Sequence, residues 1–379
     1  VTPERPALER RVLAAVDASP RRIPVLLGGC GSGRTSLLLR LRETIGRTAA
    51  QYVDLERVCT TPERLLRAIR EHAPFPTPQG SALERSGARE AFDSTLAFFE
   101  GARAPGGGAA TFLLDEVLEL RTFESFPGLR SVLRDLIAAL ASSPNRFVLT
   151  ARYVARAHRL LRDAPSQFEV VHVPSLTPQE VAATLPPAAV GAGGDRDEVA
   201  RAVHALGDGR PAYVRALADA MSAMASHGVA DAVSALSAIM APRGDLARAC
   251  RYSYELRLHR ARGYGALKAI LEVLAEEEPL TLTEIAHRLR RTPGSTKDYL
   301  SWLEDVDLVT AHHKRYTYTD PLLRLWVRLH CRPSPPSDDD VAREVHHYAL
   351  TRLPHARPPV PPVPEPAMAL AGHGLIEID

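Results

Sequence analysis

Five apolar residues, Ile23–Leu27, run directly into Gly28-Gly29-Cys30-Gly31-Ser32-Gly33-Arg34-Thr35-Ser36, and leucines then recur at helical spacing as far as Thr44. A short apolar run closed by glycines predicts a buried strand, and the period that follows predicts a helix. The glycines between them let backbone N–H groups turn inward, facing the positive end of that helix. A turn of this kind is suited to holding phosphate, with the hydroxyl of Thr35 where Mg²⁺ would sit. Residues Gly28 to Ser36 are therefore the expected nucleotide contacts. The segment fits G-x-x-x-x-G-K-[ST] at every defined position except one, where Arg34 stands for lysine.

A phosphate loop that handles Mg²⁺ needs a carboxylate at the end of a second buried strand. Thr111-Phe112-Leu113-Leu114-Asp115-Glu116 supplies it. Asp115 is expected to share the metal with Thr35, and Glu116 to polarise the attacking water of an in-line phosphoryl transfer. Arg34 qualifies that expectation. Lysine is a compact point charge, whereas arginine is longer, planar and forked, so binding should survive the replacement better than turnover.

The remaining pattern alternates between strand and helix: Gln51–Leu55, Pro62–Arg70, a long helix over 82–103, a helix over 128–141, then strands Arg146–Thr150 and Phe168–Val173. Alternation of this kind predicts a parallel sheet in an α/β core over residues 1–175. A helical lid is expected over 176–245. Over 246–330, helices at 267–277, 282–290 and 295–306 precede a hairpin pairing 308–311 with 316–319, the order of a winged helix. Residues 331–379 read as a linker, a helix at 341–352, a proline run at 358–366 that favours polyproline II, and a short tail.

No run reaches the roughly 18 apolar residues of a membrane span. Nor does the amino terminus carry the order of a secretory signal, so a cytoplasmic protein without membrane attachment is expected. Cys30, Cys59, Cys250 and Cys331 form no ligand spacing, and reduced thiols are expected. With 47 Lys plus Arg against 45 Asp plus Glu, attraction to a polyanion has to come from a local patch.

These features resemble the P-loop ATPases of the AAA+ and STAND group, most closely the archaeal-type ATPase family, over about residues 3–330. The likeness extends to Val173-Pro174-Ser175-Leu176-Thr177-Pro178-Gln179-Glu180, to Gly207-Asp208-Gly209-Arg210-Pro211-Ala212-Tyr213, and to Tyr318-Thr319-Asp320-Pro321-Leu322-Leu323-Arg324-Leu325-Trp326. It implies ATP and Mg²⁺ as cofactors and a homo-oligomer. It also implies a γ-phosphate sensor at Thr150, lid contacts to nucleotide from Arg210 and Pro211, and an adenine bordered by Pro3 to Arg5. An arginine finger from a neighbouring subunit has Arg130, Arg134, Arg146 and Arg152 as candidates. For Thr150, ordinary strand-end hydrogen bonding is equally open.

A winged helix suggests double-stranded DNA, here through Arg290, Arg291, Lys297, Lys314 and Arg315. Against this stand Asp298, Glu304 and Asp305 on the third helix, so protein docking is also open. The alternating apolar and acidic end, Gly374-Leu375-Ile376-Glu377-Ile378-Asp379, has the pattern of a strand added to a protein partner's sheet edge. The sequence thus reads as a slow ATPase that switches a winged-helix module. The alternative is a nucleotide-bound scaffold that does not hydrolyse.

Overall fold

The computed structural model describes residues 5–76, 87–191, 193–225, 231–259 and 263–353. The proline run and the tail segment lie outside them, as do Pro3 and Glu4. Strands β1 (Ile23–Leu27), β2 (Ala50–Asp54), β3 (Thr111–Asp115), β4 (Arg146–Ala151) and β5 (Phe168–His172) form one parallel sheet in the order β2-β3-β4-β1-β5. The central strands β1 and β3 are buried at every position. That is why they read as uninterrupted apolar runs. Phe112 and Phe147 stack at 5.5 Å between neighbouring strands on one face, with Phe75, Phe98 and Phe99 set edge-on around them. On the other face, Leu37, Leu38 and Leu41 of helix Arg34–Ile45 cover Leu26, Leu113 and Val148.

Because all five strands are parallel, their carboxyl ends share one edge. Gly28, Asp115 and Ala151 mark the ends of β1, β3 and β4 there, the rim at which open α/β sheets bind ligands. Three segments depart from expectation. The second strand stops at Asp54, because that carboxylate accepts from Arg57 N–H and starts the short helix Leu55–Val58. The helix expected over 128–141 begins at Val132, after a 3₁₀ stretch Val117–Ser125. A helix Val154–Leu161 follows β4 that the sequence pattern did not suggest. Of the helix expected over 82–103, Ala88–Gly101 is helical and residues 82–86 lie outside the described set.

Beyond β5 the chain is helical, with Pro178–Thr184, Pro187–Val190, Arg196–Gly207, Pro211–Ala225, Ala232–Met240 and Asp245–His259. Then come helix Tyr264–Glu276, strand β6 (Leu280–Thr281), helices Leu282–Arg288 and Pro293–Asp305, and the antiparallel pair β7 (Val309–His312) and β8 (Arg315–Tyr318). The turn of that pair places His313 and Lys314 at positive φ. Helices Pro321–His330 and Asp338–Arg352 complete the described chain. Among the described residues, no helix is long and apolar enough to cross a membrane.

Candidate functional site

The loop after β1 turns through Gly31 and Gly33 at φ +77° and +87°, a region that residues with a Cβ enter at a cost. The helix that follows starts at Arg34, whose side chain folds back against the loop. One terminal nitrogen donates to Gly28 O, to Gly29 O at 2.6 Å and to Ser32 Oγ at 2.9 Å. The other donates to Glu116 Oε1 at 2.5 Å. Two loop carbonyls are thus satisfied by the residue that stands where lysine was expected.

Asp115 and Glu116 divide the work at the end of β3. Asp115 Oδ2 accepts from Thr35 Oγ1 at 2.7 Å and from Tyr52 OH at 2.9 Å, and its Oδ1 accepts from Thr150 Oγ1 at 2.5 Å. Three hydroxyls therefore fix one carboxylate. Burial, then the charge of Asp115, push the Tyr52 phenol well above its usual range, so it stays a donor. Thr150 also accepts the Glu116 N–H at 2.9 Å, which ties the ends of β3 and β4 together.

Glu116 has φ +58°, a left-handed conformation that is costly for a residue with a Cβ. It is 6% exposed. Burial by itself would raise its carboxyl, yet Arg34 and Arg152 on either side bring it below the usual carboxylate range. Its Oε2 accepts the Arg152 N–H at 3.0 Å and lies 3.2 Å from Arg152 Nε. Arg152 also pairs with Glu56. This guanidinium is engaged within its own chain. Of the other finger candidates, Arg146 opens β4 at the opposite end of the sheet and pairs with Asp17 at 3.2 Å, while Arg130 and Arg134 are exposed.

The glycine-to-proline segment of the helical region closes over the loop. A Cβ on Gly31 would meet the Ala212 Cβ at 3.2 Å, and one on Gly33 would meet Pro211 at 3.4 Å. Ala212 N donates to Gly31 O at 3.2 Å. Arg210 reaches three acceptors in two other parts of the chain: Cys30 O at 3.1 Å, and Thr319 O at 2.7 Å with Asp320 Oδ2 at 3.2 Å. Asp320, 2% exposed, also accepts from Tyr213 OH at 2.6 Å. Burial opposes the Arg210 charge, but Asp320, Tyr213 and Asp208 hold it above its normal range.

The cavity between loop residues Gly31–Ser36 and Pro211, Ala212 and Arg215 has about 200 Å³. Sites that enclose a drug-sized ligand occupy roughly 300–1,000 Å³. Arg5 is buried with both terminal nitrogens unpartnered among the described residues. A cavity of about 450 Å³ beside Glu278, Arg324 and Tyr348 is far in sequence from the loop carboxylates, and within its lining Arg324 pairs with Glu278 and Arg328 with Glu344.

The C-terminal helices are joined to the core by acids that the sequence left unplaced. Asp307 accepts the Val154 N–H at 2.5 Å and so caps helix Val154–Leu161 from another segment, while Asp305 pairs with Arg159 and Arg156. These acids face the core rather than the solvent. Arg290, Arg291, Lys297, Lys314 and Arg315 are all exposed on the same part of the chain. Arg291 lies over the Tyr299 ring at 5.4 Å, and Arg315 donates to Pro279 O at 3.1 Å.

Tyr52 and Asp307 were missed by sequence reasoning. Tyr52 is one aromatic residue in a strand, and Asp307 one acid among several. Only the tertiary structure gives either a task.

No protein-family model matches the sequence, and no curated protein matches it. Among solved structures, the Walker-type ATPase PABY2304 of Pyrococcus abyssi is similar at 19% identity and TM-score 0.63, over 86% of this chain and 96% of its own. Cdc6p of Pyrobaculum aerophilum aligns at 12% identity and TM-score 0.43, over 93% and 97%. Aeropyrum pernix Orc1, solved with DNA, aligns at 17% identity and TM-score 0.42, over 90% and 94%. The likeness to the Pyrococcus abyssi structure is one of fold, and in this chain that fold is a parallel five-stranded α/β core continued by a helical region.

Proposed function

We propose that this chain is a slow, Mg²⁺-dependent ATPase of the AAA+/STAND kind, held closed in its resting state and switched by nucleotide. The observation that carries this reading is the 2.7 Å contact between Thr35 Oγ1 and Asp115, with Glu116 next in the chain and Thr150 bonded to both acids. Hydroxyl and carboxylate oxygens are the hard donors Mg²⁺ prefers. Gly28 to Ser36 form the cradle for phosphates, which Arg34 must vacate. When bound, Mg·ATP supplies the anhydride to be cleaved and the metal that draws charge off its phosphates. Thr35 and Asp115 would hold the metal, Glu116 would take the proton of the attacking water, and Thr150 would keep both acids in register.

Closure works against turnover. Glu116 cannot serve as a base while it is clamped between Arg34 and Arg152. Arg210 cannot turn to phosphate while Asp320 holds it. Residues 1–175, 176–245 and 246–330 are read as core, lid and winged helix. Arg290, Arg291, Lys297, Lys314 and Arg315 are its face for double-stranded DNA; of the acids on the third helix, Asp305 is taken up by Arg156 and Arg159, while Asp298 stays exposed beside Lys297. The exposed Arg130 and Arg134 remain the finger candidates for a homo-oligomer. The second reading, a nucleotide-bound scaffold, is favoured by the buried Arg34–Glu116 pair alone.

Glu116→Gln separates the two. In single-turnover experiments it should keep ATP binding and lose Mg²⁺-dependent phosphate release by roughly 10²-fold or more, in the range of a lost general base. An absence of release from the parent chain would favour the scaffold.

A further inference from the structure

We propose that the segment Leu375–Asp379 of this chain docks as an added strand on the free edge of β2. Among the described residues this edge is open: β2 is the last strand of the sheet. Thr111 N donates to Ala49 O at 2.9 Å. In a parallel ladder the residues that bond to the neighbour alternate with those that face away, so the main-chain groups of Tyr52 point to the open side. A cavity of about 430 Å³ runs along this edge, within the range of sites that hold a ligand of some size.

The two walls of the groove differ chemically. On one side lie Val53, Val58, Ala68 and Pro74; Val53 and Val58 belong to the apolar layer packed on helix Pro62–Glu71. On the other side, helix Arg34–Ile45 contributes Arg42, with Arg57 and His72 at the rim. Asp54 also lines the groove, but it is engaged with Arg57 at 3.3 Å and with the helix start after β2.

Two buried polar atoms in this wall have no partner among the described residues, Gln51 Oε1 and Arg42 Nε. Gln51 is 2% exposed, and its amide nitrogen is fixed by donation to Ile69 O at 2.7 Å. Its free oxygen is therefore an acceptor waiting for an N–H. Buried groups of this kind are costly when left unmade. The groove thus asks for an occupant with an apolar face, a main-chain N–H and a carboxylate.

Leu375-Ile376-Glu377-Ile378-Asp379 has that pattern. In an extended strand Ile376 and Ile378 fall on one face, with Leu375, Glu377 and Asp379 on the other. The isoleucines match the apolar wall, and the acids match Arg42. Main-chain pairing supplies affinity and the alternating side chains supply the fit, as in strand addition generally. The strand so extended carries Tyr52, whose hydroxyl holds Asp115. That link to the nucleotide site rests on the function proposed above; docking itself does not.

The test uses the full chain with a photo-reactive amino acid at position 376, cross-linked without nucleotide and mapped by mass spectrometry. Mixing light and heavy isotope-labelled chains tells a segment on its own edge from one on a second copy. Cross-links should fall on residues 51–58 and 68–74. Glu377→Lys, outside the described fold, should lower their yield roughly tenfold, and Arg42→Glu should do the same. The double variant Glu377→Lys with Arg42→Glu should restore it, which also shows that Arg42→Glu folds. Cross-links that land elsewhere, on residues 77–86 for example, or that ignore both charge reversals, overturn the proposal. Because no step requires ATP, a chain that proves not to hydrolyse ATP leaves this result unaffected.

Discussion

Replacing Arg34 by lysine is the sharpest test of the resting state. The guanidinium uses both prongs of its fork, one on Gly28 O, Gly29 O and Ser32 Oγ and the other on Glu116. A lysine ammonium is a single centre on a shorter stem and can serve only one of the two groups. Keeping the loop side releases Glu116, which still has Arg152 and so is not left as an isolated buried charge. The loss is then one buried charge-assisted bond, roughly 1.5–3 kcal/mol.

That energy opposes nucleotide entry in the parent, because Arg34 must leave the loop first. Lowering it raises the fraction of chains competent to bind. Apparent affinity for ATP should tighten by about ten- to a hundredfold, the factor that corresponds to this energy, until opening ceases to limit binding. Single-turnover phosphate release should rise as well, since Glu116 is freed from one of its two clamps. The nucleotide-free protein should melt several degrees lower. A fluorescent ATP analogue, a phosphate-release assay with and without Mg²⁺, and a thermal melt measure all three. Affinity and rate within twofold of the parent would refute the idea that Arg34 plugs its own loop.

Three further outcomes follow from contacts between segments. Asp320→Asn keeps the helix cap but removes the charge opposite Arg210; a loss of about 2 kcal/mol, below the 3–5 kcal/mol of an orphaned buried ion, should show as faster limited proteolysis between residues 245 and 330 and tighter ATP binding. An unchanged digestion pattern would mean that Arg210 does not latch the segments. Burial raises the Asp307 carboxyl to about 6, against the N–H groups of Val154 and Ala155 and the charges of Arg257 and Arg34, which draw it down. A carboxyl raised on docking binds its proton more tightly when docked, so closure is strongest below about pH 4, weakens as pH rises through about 6, and loses that dependence in Asp307→Asn; scattering profiles at a series of pH values would check it. Neutralising Lys314 and Arg315 together should reduce the salt slope of duplex-DNA binding by about two contacts' worth, with no change in sequence preference; an unaltered slope would remove the wing from the DNA face.

Most of the core was legible because burial writes itself into sequence. Ile23–Leu27 and Phe112–Leu114 are covered on both faces and so appear as plain apolar runs, the first leading into Gly28 and the second into Asp115. Thr150 was legible as a strand end; that its hydroxyl holds both acids required β3 and β4 to be side by side. Arg34 was legible as an anomaly. Its partner was less so, since nothing local says that a loop arginine will choose Glu116 over solvent. Tyr52 lies in a half-buried strand whose alternation gives it no distinguishing mark. Asp320 announces a helix start by preceding Pro321, but its pairing with Arg210 joins residues far apart in the chain and appears only when distant segments pack. The helix Val154–Leu161 was missed for a related reason: no side chain of its own caps it, and Asp307 supplies the cap from elsewhere.

These contacts share one physical form. Glu116 with Arg34 and Arg152, Asp320 with Arg210, and Asp305 with Arg156 and Arg159 each join a buried or half-buried carboxylate to arginine, and each crosses from one element to another. Such pairs add little net stability compared with apolar packing of the same volume, because desolvation offsets most of their attraction. Their value lies in exchangeability. A methyl group against a leucine has no competitor, whereas a guanidinium held by a carboxylate will accept a phosphate in its place at comparable cost. A closed state built from leucines would need to be melted to open. On the function proposed above, one built from arginine and carboxylate at Arg34, at Arg210 and at the helix after β4 would open by substituting one anion for another, with Arg34 and the Gly31–Ser36 loop the first to meet a phosphate.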